Sequence, residues 1–236
     1  MQTDATKKIR VGLVGITGYA GMELARLLSH HPYMQLTMAC SRAEAGKRLG
    51  EYYPFLEKLP GADVRITQFT PGDAAGCCSL VFLAVPAGKA MKMVPPLLEQ
   101  NVRVVDFSAD FRLHDKATYE HWYALPHEAE SLLNEAVYGL PEFYSDEIAK
   151  ARLIANPGCY PSSILLALKA ALEHNLISPD NIIIDSKSGT TGAGRKAQVQ
   201  NLFCEVSDSF RAYGLATHRH TPEIEQEVSL LAKTPV

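Results

Sequence analysis

The chain has 236 residues, enough for one large domain or two ordinary ones, and its 47% apolar content supplies a sizeable core and excludes a disordered chain. A net charge of −3 with no Lys/Arg run excludes a general nucleic-acid binder. The five cysteines (Cys40, Cys77, Cys78, Cys159, Cys204) form an odd set without CxxC spacing, so neither a disulfide framework nor a zinc site is suggested.

The opening segment Met1–Lys8 is polar and no apolar run reaches membrane-spanning length. The expectation is a cytoplasmic protein without signal peptide or anchor. Lys8–Val14 reads as a strand, followed by the glycine loop Gly15-Ile16-Thr17-Gly18-Tyr19-Ala20-Gly21 and a helix with Ala20, Leu24, Leu27 and Leu28 on one face. Strand, glycine loop and helix begin a dinucleotide-binding unit, in which glycines let the backbone approach a pyrophosphate at a helix N-terminus. The spacing is GxxGxxG rather than GxGxxG, and any tight strand-to-helix turn can be Gly-rich. Gln35–Cys40 reads as the second strand, ending in Ser41-Arg42 with no carboxylate before Glu44. An NAD site favours an acidic residue there, whereas a hydroxyl and a guanidinium suit a 2′-phosphate, hence NADP(H); the alternative is a solvated surface pair.

Val64–Thr67 alternates like an edge strand, and Leu80–Val85 and Val102–Phe107 read as buried central strands separated by a helix ending at Glu99. The order predicts a Rossmann-type, doubly wound parallel α/β sheet. Ser108, Asp110 and Arg112 follow the strand ending at Asp106, at the sheet end where such folds bind ligands. Arg112 is either a two-pronged clamp for phosphate or carboxylate, or half of a local surface pair with Asp110. Residues 113–145 read as irregular connections holding the domain junction.

Arg152–Ala155 reads as a strand and Ile164–Leu172 as a helix with apolar residues at 164, 165, 168 and 172. Between them lies Asn156-Pro157-Gly158-Cys159-Tyr160-Pro161-Ser162-Ser163, which puts Cys159 in a Pro/Gly turn at a helix start. Free N–H groups and the positive end of the dipole favour an anion there, which suits a nucleophilic thiol and an oxyanion formed by its attack on a carbonyl. The competing reading is a buried cysteine acting as a small hydrophobe. Asn181–Ser186 reads as a strand leading to Lys187–Arg195, whose glycines, with Ser188, Gly189, Gly192 and Ala193, allow close approach to a ligand, as they would in a plain linker. His218-Arg219-His220 precedes a helix in which Thr221 is a suitable N-cap, Pro222 a first residue, and Ile224, Val228 and Leu231 a face. No further Cys, His or carboxylate cluster turns HxH into a metal site, so a neutral base for Cys159 is the better chemical reading.

The blocks Gly15–Gly21, Tyr138-Gly139-Leu140-Pro141-Glu142, Asn156–Pro161, Ser188–Arg195 and His218–Ile224 together resemble the N-acetyl-gamma-glutamyl-phosphate reductases, relatives of aspartate-semialdehyde dehydrogenase. The blocks occur in the family's order across nearly the whole chain. The resemblance implies an NADP-binding domain over 1–150 and a mixed α/β catalytic and dimerisation domain over 151–236. The family's fold continues past Val236, so this second domain is expected to lack strands. It further implies attack by Cys159 on the acyl phosphate of N-acetyl-L-glutamyl 5-phosphate. The thioester is then reduced by NADPH to the 5-semialdehyde, in arginine biosynthesis. His218 is the implied acid/base, with His220 as the alternative; His220 and Glu223 are implied supports for substrate or base, and Ser108, Arg112 and Asn156 lie around the substrate. A homo-oligomer, dimer or tetramer, is also implied. The alternatives are a reductase of another acyl phosphate (aspartyl or carrier-linked aminoadipyl) and a nucleotide-binding module with Cys159 as redox sensor.

Overall fold

The computed structural model describes residues 8–236; the first seven residues, and the part of the polar opening segment they form, lie outside it. Its frame is one sheet of seven parallel strands: β1 (Ile9–Val14), β2 (Met34–Cys40), β3 (Ile66–Thr67), β4 (Leu80–Leu83), β5 (Arg103–Asp106), β6 (Val137–Tyr138) and β7 (Leu153–Ala155). Their order across the sheet is β3-β2-β1-β4-β5-β7-β6, which reverses direction between β1 and β4 and opens a crevice at the carboxyl ends of those two strands. Both faces are covered, which is why the central strands read as unbroken apolar runs. One face carries α1 (Tyr19–Ser29) and α2 (Leu49–Tyr52), with Leu13, Ile16, Leu28 and Leu56 in the core. The other carries α3 (Pro71–Cys77), α4 (Ala90–Glu99) and α5 (Lys116–Tyr123) over Val81, Leu83, Val94, Leu97 and Phe111.

The buried face of α1 is Gly21, Ala25, Leu28 and Ser29, rotated from the expected one; Leu27 is 52% exposed. The helix packs so close to the glycine loop that a Cβ at Gly21 would lie 2.3 Å from the Gly15 carbonyl oxygen. Small residues, not large apolar ones, therefore mark the contact.

The sheet does not stop in the 113–145 region or at residue 150. The strand β7, expected to open the second domain, pairs with β5, and β6 pairs with β7 across the helix α6 (Pro141–Lys150). A third cluster packs α7 (Cys159–Glu173) against α9 (Thr221–Ala232) through Leu165, Leu172 and Val228, with Tyr138 and Leu140 beneath. Between those helices lie the short helix α8 (Phe203–Val206) and long irregular stretches. The expected strand over 181–186 is not formed: Ile183 is 94% exposed. An apolar run becomes a strand only where a neighbouring edge supplies hydrogen-bond partners, and none reaches it among the described residues.

Candidate active site

The crevice begins where β1 runs into Gly15. That residue has φ +88°, and a Cβ on it would stand 2.1 Å from the Ala84 carbonyl oxygen at the end of β4, so only glycine fits. The Gly15 and Ile16 amides both donate to the Cys40 carbonyl, tying the loop to the end of β2. Gly18 is the N-cap of α1, and no side chain caps the helix. Its Cβ position is the least crowded of the three loop glycines, with only the Gly15 oxygen at 3.5 Å. An uncapped helix start behind a glycine loop fits a pyrophosphate, for which the N–H groups of residues 19–21 are the donors, the Gly18 amide being spent on the Gly15 carbonyl. Ser41 meets this loop, its Oγ lying 3.5 Å from Thr17 Oγ1, and Arg42 beside it is exposed.

The second glycine segment reaches the same place through Arg195. This residue donates to the Thr17 carbonyl oxygen at 2.8 Å and lays its guanidinium over the Tyr19 ring. The Gly15–Gly21 and Ser188–Arg195 stretches are thus neighbours despite their separation in sequence. Ser188, Gly189, Gly192 and Ala193 line a cavity of about 620 Å³ that also takes in Tyr160, His218 and His220.

Cys159 is the first residue of α7 and is exposed, so it is not a buried hydrophobe. Gly158 is its N-cap. Three rings gather around the following residue: the Tyr160 ring lies 5.3 Å from His218, 6.0 Å from His220 and 6.3 Å from Tyr213, and the two histidine rings are 4.8 Å apart. His218 Nδ1 accepts the His220 amide, and its Nε2 lies 3.3 Å from the Tyr213 hydroxyl. Burial holds the His218 pKa below the usual imidazole range; burial, then the Arg112 and His218 charges, pull His220 down to about 4. Both rings are therefore neutral near pH 7, the state a base requires. Burial raises the Tyr213 phenol, with smaller contributions from the neighbouring Tyr160 and Cys159. This phenol was missed in the sequence because the stretch around it has no periodic pattern.

The remaining expected residues form a polar brace. Asp110, which was paired with Arg112 in one reading, instead caps the start of α4: its carboxylate accepts the Gly88 and Met91 amides and the Tyr119 hydroxyl. Both Asp110 and Arg112 are buried, so no surface pair exists. The Arg112 guanidinium donates to the Asn156 carbonyl (2.8 Å), the Phe107 carbonyl (2.8 Å) and Glu223 Oε2 (3.3 Å). Ser108 is 5% exposed, and its hydroxyl donates to Asp106 and accepts the Asp110 amide. Glu223 is 1% exposed; its Oε1 accepts the Gly158 amide and the Tyr138 hydroxyl, each at 2.8 Å. Thr221 is the first residue of α9 rather than its cap, a place taken by His220. Among the described residues no helix is long and apolar enough to cross a membrane, and no group of three His, Cys, Asp or Glu side chains is placed to hold a metal ion.

Residues 10–151 match the family described as "Semialdehyde dehydrogenase, NAD binding domain", and residues 159–236 the "Semialdehyde dehydrogenase, dimerisation domain". Curated relatives named N-acetyl-gamma-glutamyl-phosphate reductase include one from Neisseria meningitidis, 49% identical over 95% of this chain and 64% of its own length. Another, from Desulfotalea psychrophila, is 50% identical over 96% of this chain and 65% of its own. The chain thus spans a little under two thirds of these relatives. Among solved structures, aspartate semialdehyde dehydrogenase II from Vibrio cholerae aligns with a TM-score of 0.51 at 22% identity, covering 71% of this chain and 43% of that one. The Candida albicans aspartate semialdehyde dehydrogenase with NADP aligns at 0.52 and 18% identity, covering 71% of this chain and 48% of that one. At those identities the structures speak for the fold alone.

Proposed function

The chain belongs to the semialdehyde dehydrogenase family, and from that premise we propose that it serves the NADPH-dependent reduction of N-acetyl-L-glutamyl 5-phosphate to N-acetyl-L-glutamate 5-semialdehyde and phosphate. The reading is carried by an exposed Cys159 at the opening of α7, between Gly158, against which the His220 ring is pressed, and Tyr160, whose ring neighbours those of both histidines. The names of the relatives at 49–50% identity favour this acyl phosphate over aspartyl or aminoadipyl phosphate.

Cys159 Sγ attacks the acyl carbon, the developing oxyanion faces the N–H groups at the helix start, and phosphate leaves with the electrons of the broken C–O bond. NADPH held in the crevice would supply the hydride that reduces the resulting thioester. The carbon–sulfur bond then breaks, releasing aldehyde and returning the sulfur to Cys159. His218, with Tyr213 as its hydrogen-bond neighbour at Nε2, takes the Cys159 thiol proton as the sulfur attacks and passes it to the leaving phosphate; the thiolate released with the aldehyde regains a proton from solvent. Gly15, Thr17, Gly18, Tyr19, Ala20 and Gly21 would hold the pyrophosphate of the cofactor, Ser41 with Arg42 its 2′-phosphate, and Ser188, Gly189, Gly192 and Ala193 its nicotinamide side. A nucleotide part whose sheet runs on through β7, a catalytic part that begins with α7, a cytoplasmic home in arginine biosynthesis, and a dimer or tetramer complete the reading.

Cys159→Ser is expected to abolish phosphate-dependent oxidation of the semialdehyde while NADPH titration by fluorescence is unchanged. Turnover that survives the substitution rejects the mechanism. Comparable turnover on aspartyl phosphate rejects the substrate.

A further inference from the structure

Arg112 and Glu223 enter the resemblance as substrate contacts, yet the structure gives their side chains other work. Glu223 is nearly sealed from solvent. Its Oε1 takes two hydrogen bonds, from the amide of Gly158 and the hydroxyl of Tyr138, and its Oε2 faces Arg112 Nη1. Gly158 is the residue on which α7 starts, directly before Cys159. The same glycine is pressed from another side by the His220 ring, since a Cβ there would stand 2.5 Å from His220 Nε2. His220 and Glu223 are three residues apart at the start of α9, so they lie on one helical face. The start of α9 therefore grips the start of α7 by one charge-assisted hydrogen bond and one ring contact. Arg112, anchored on the carbonyls of Phe107 and Asn156, ties that grip to the carboxyl ends of β5 and β7.

The geometry points to Glu223 as a positioning residue that acts through the Gly158 amide. Tyr138, to which nothing else assigns a role, holds the carboxylate in register, and Arg112 balances its charge. Burial and the Glu223 charge push the Tyr138 phenol up, so it stays a donor at any working pH. With three protein donors on it, the carboxylate is committed to the protein. Its task is to fix where the sulfur sits relative to the acyl carbon, and small misplacements of reacting groups are expensive in rate.

This inference rests on the reading of Cys159 as nucleophile, and its test separates the two. Tyr138→Phe and Glu223→Gln are made in the intact chain. For each, kcat and KM for N-acetylglutamyl phosphate are measured, together with the rate at which iodoacetamide labels Cys159 without substrate, followed by mass spectrometry. Tyr138→Phe, which keeps the ring and every charge, is expected to lower kcat about tenfold with KM and NADPH affinity nearly unchanged, the mark of an interaction that matters in the transition state. Glu223→Gln is expected to lower kcat further while Cys159 is labelled faster, because the Arg112 charge is left unbalanced beside the helix start. A slower enzyme with a more reactive thiol is not what general loosening produces. A raised KM at unchanged kcat in either variant overturns the proposal in favour of substrate contact. Full kcat in both variants overturns it outright. Should the wild type fail to turn over this substrate, the functional reading falls. The labelling rates then still judge the brace, and equal rates in wild type and Glu223→Gln reject it.

Discussion

A side chain at residue 158 has nowhere to go, because the His220 ring occupies the space its Cβ would need. Gly158→Ala is expected to destabilise the fold by about 1–3 kcal/mol and to remove most activity, since either the ring or the helix start must move; urea denaturation and a rate assay check the two halves. The buried pair of Arg112 and Glu223 invites a similar measurement. Arg112→Leu leaves a carboxylate sealed from water without its cation, and a loss of about 3–5 kcal/mol is expected by the same denaturation experiment. Two buried groups of opposite sign pull the pH response in opposite directions. His220 is held down to about 4, so between its unfolded value near 6.5 and about 4 the unfolded chain binds more protons, and stability falls as pH falls through that window. Asp106 is pushed up to about 7 by burial, so between about 4 and 7 the folded chain holds more protons, and stability falls as pH rises. The two slopes oppose each other. Asp106→Asn removes one of them, and its melting temperature is expected to climb more steeply from pH 4.5 to 7 than that of the wild type; a parallel curve refutes the assignment.

At the scale of elements, the part of the chain after β7 is held by the contact between α7 and α9. Leu165 on α7 is fully buried, whereas its neighbour Leu166 is 45% exposed. Leu165→Ala is expected to lose about 2–5 kcal/mol in denaturant titration, and Leu166→Ala about 0.5 kcal/mol or less. The first also shifts the start of α7 and should reduce kcat; the second should not. The face of α9 was only half legible in the sequence. Ile224, Val228 and Leu231 follow helical spacing and do pack. Glu223 and Glu227, four residues apart, are buried with them, their partners being the hydroxyls of Tyr138 and Tyr144. Periodicity in hydrophobicity does not register a buried carboxylate whose partners lie some eighty residues away.

For the whole molecule, large apolar side chains stay on the surface in one part of the sequence: Ile183, Val199, Phe203, Phe210 and Leu215 are all more than two-thirds exposed. Exposed apolar residues of this kind are characteristic of contact surfaces, and this part of the chain matches the family model described as a dimerisation domain. Sedimentation velocity is expected to show concentration-dependent association, reduced when Phe203 and Phe210 are both replaced by Glu; an unchanged profile removes those residues from the contact.

The sheet and its glycine loop were legible because their signals are local: apolar runs of strand length, a helix pattern after each, and glycines where the backbone turns sharply. The position of Cys159 at a helix start was equally local, written in Pro157, Gly158 and Pro161. The choice of partners was not. That β7 completes the nucleotide sheet, that Ile182–Ile184 find no strand edge, that Arg112 turns from Asp110 to Glu223, and that Arg195 reaches Thr17 all depend on groups far apart in the chain. Local sequence fixes what a backbone segment can become and which groups must be satisfied. Only packing decides which distant atom satisfies them, because burying a polar group is tolerable solely where the folded chain brings it a partner.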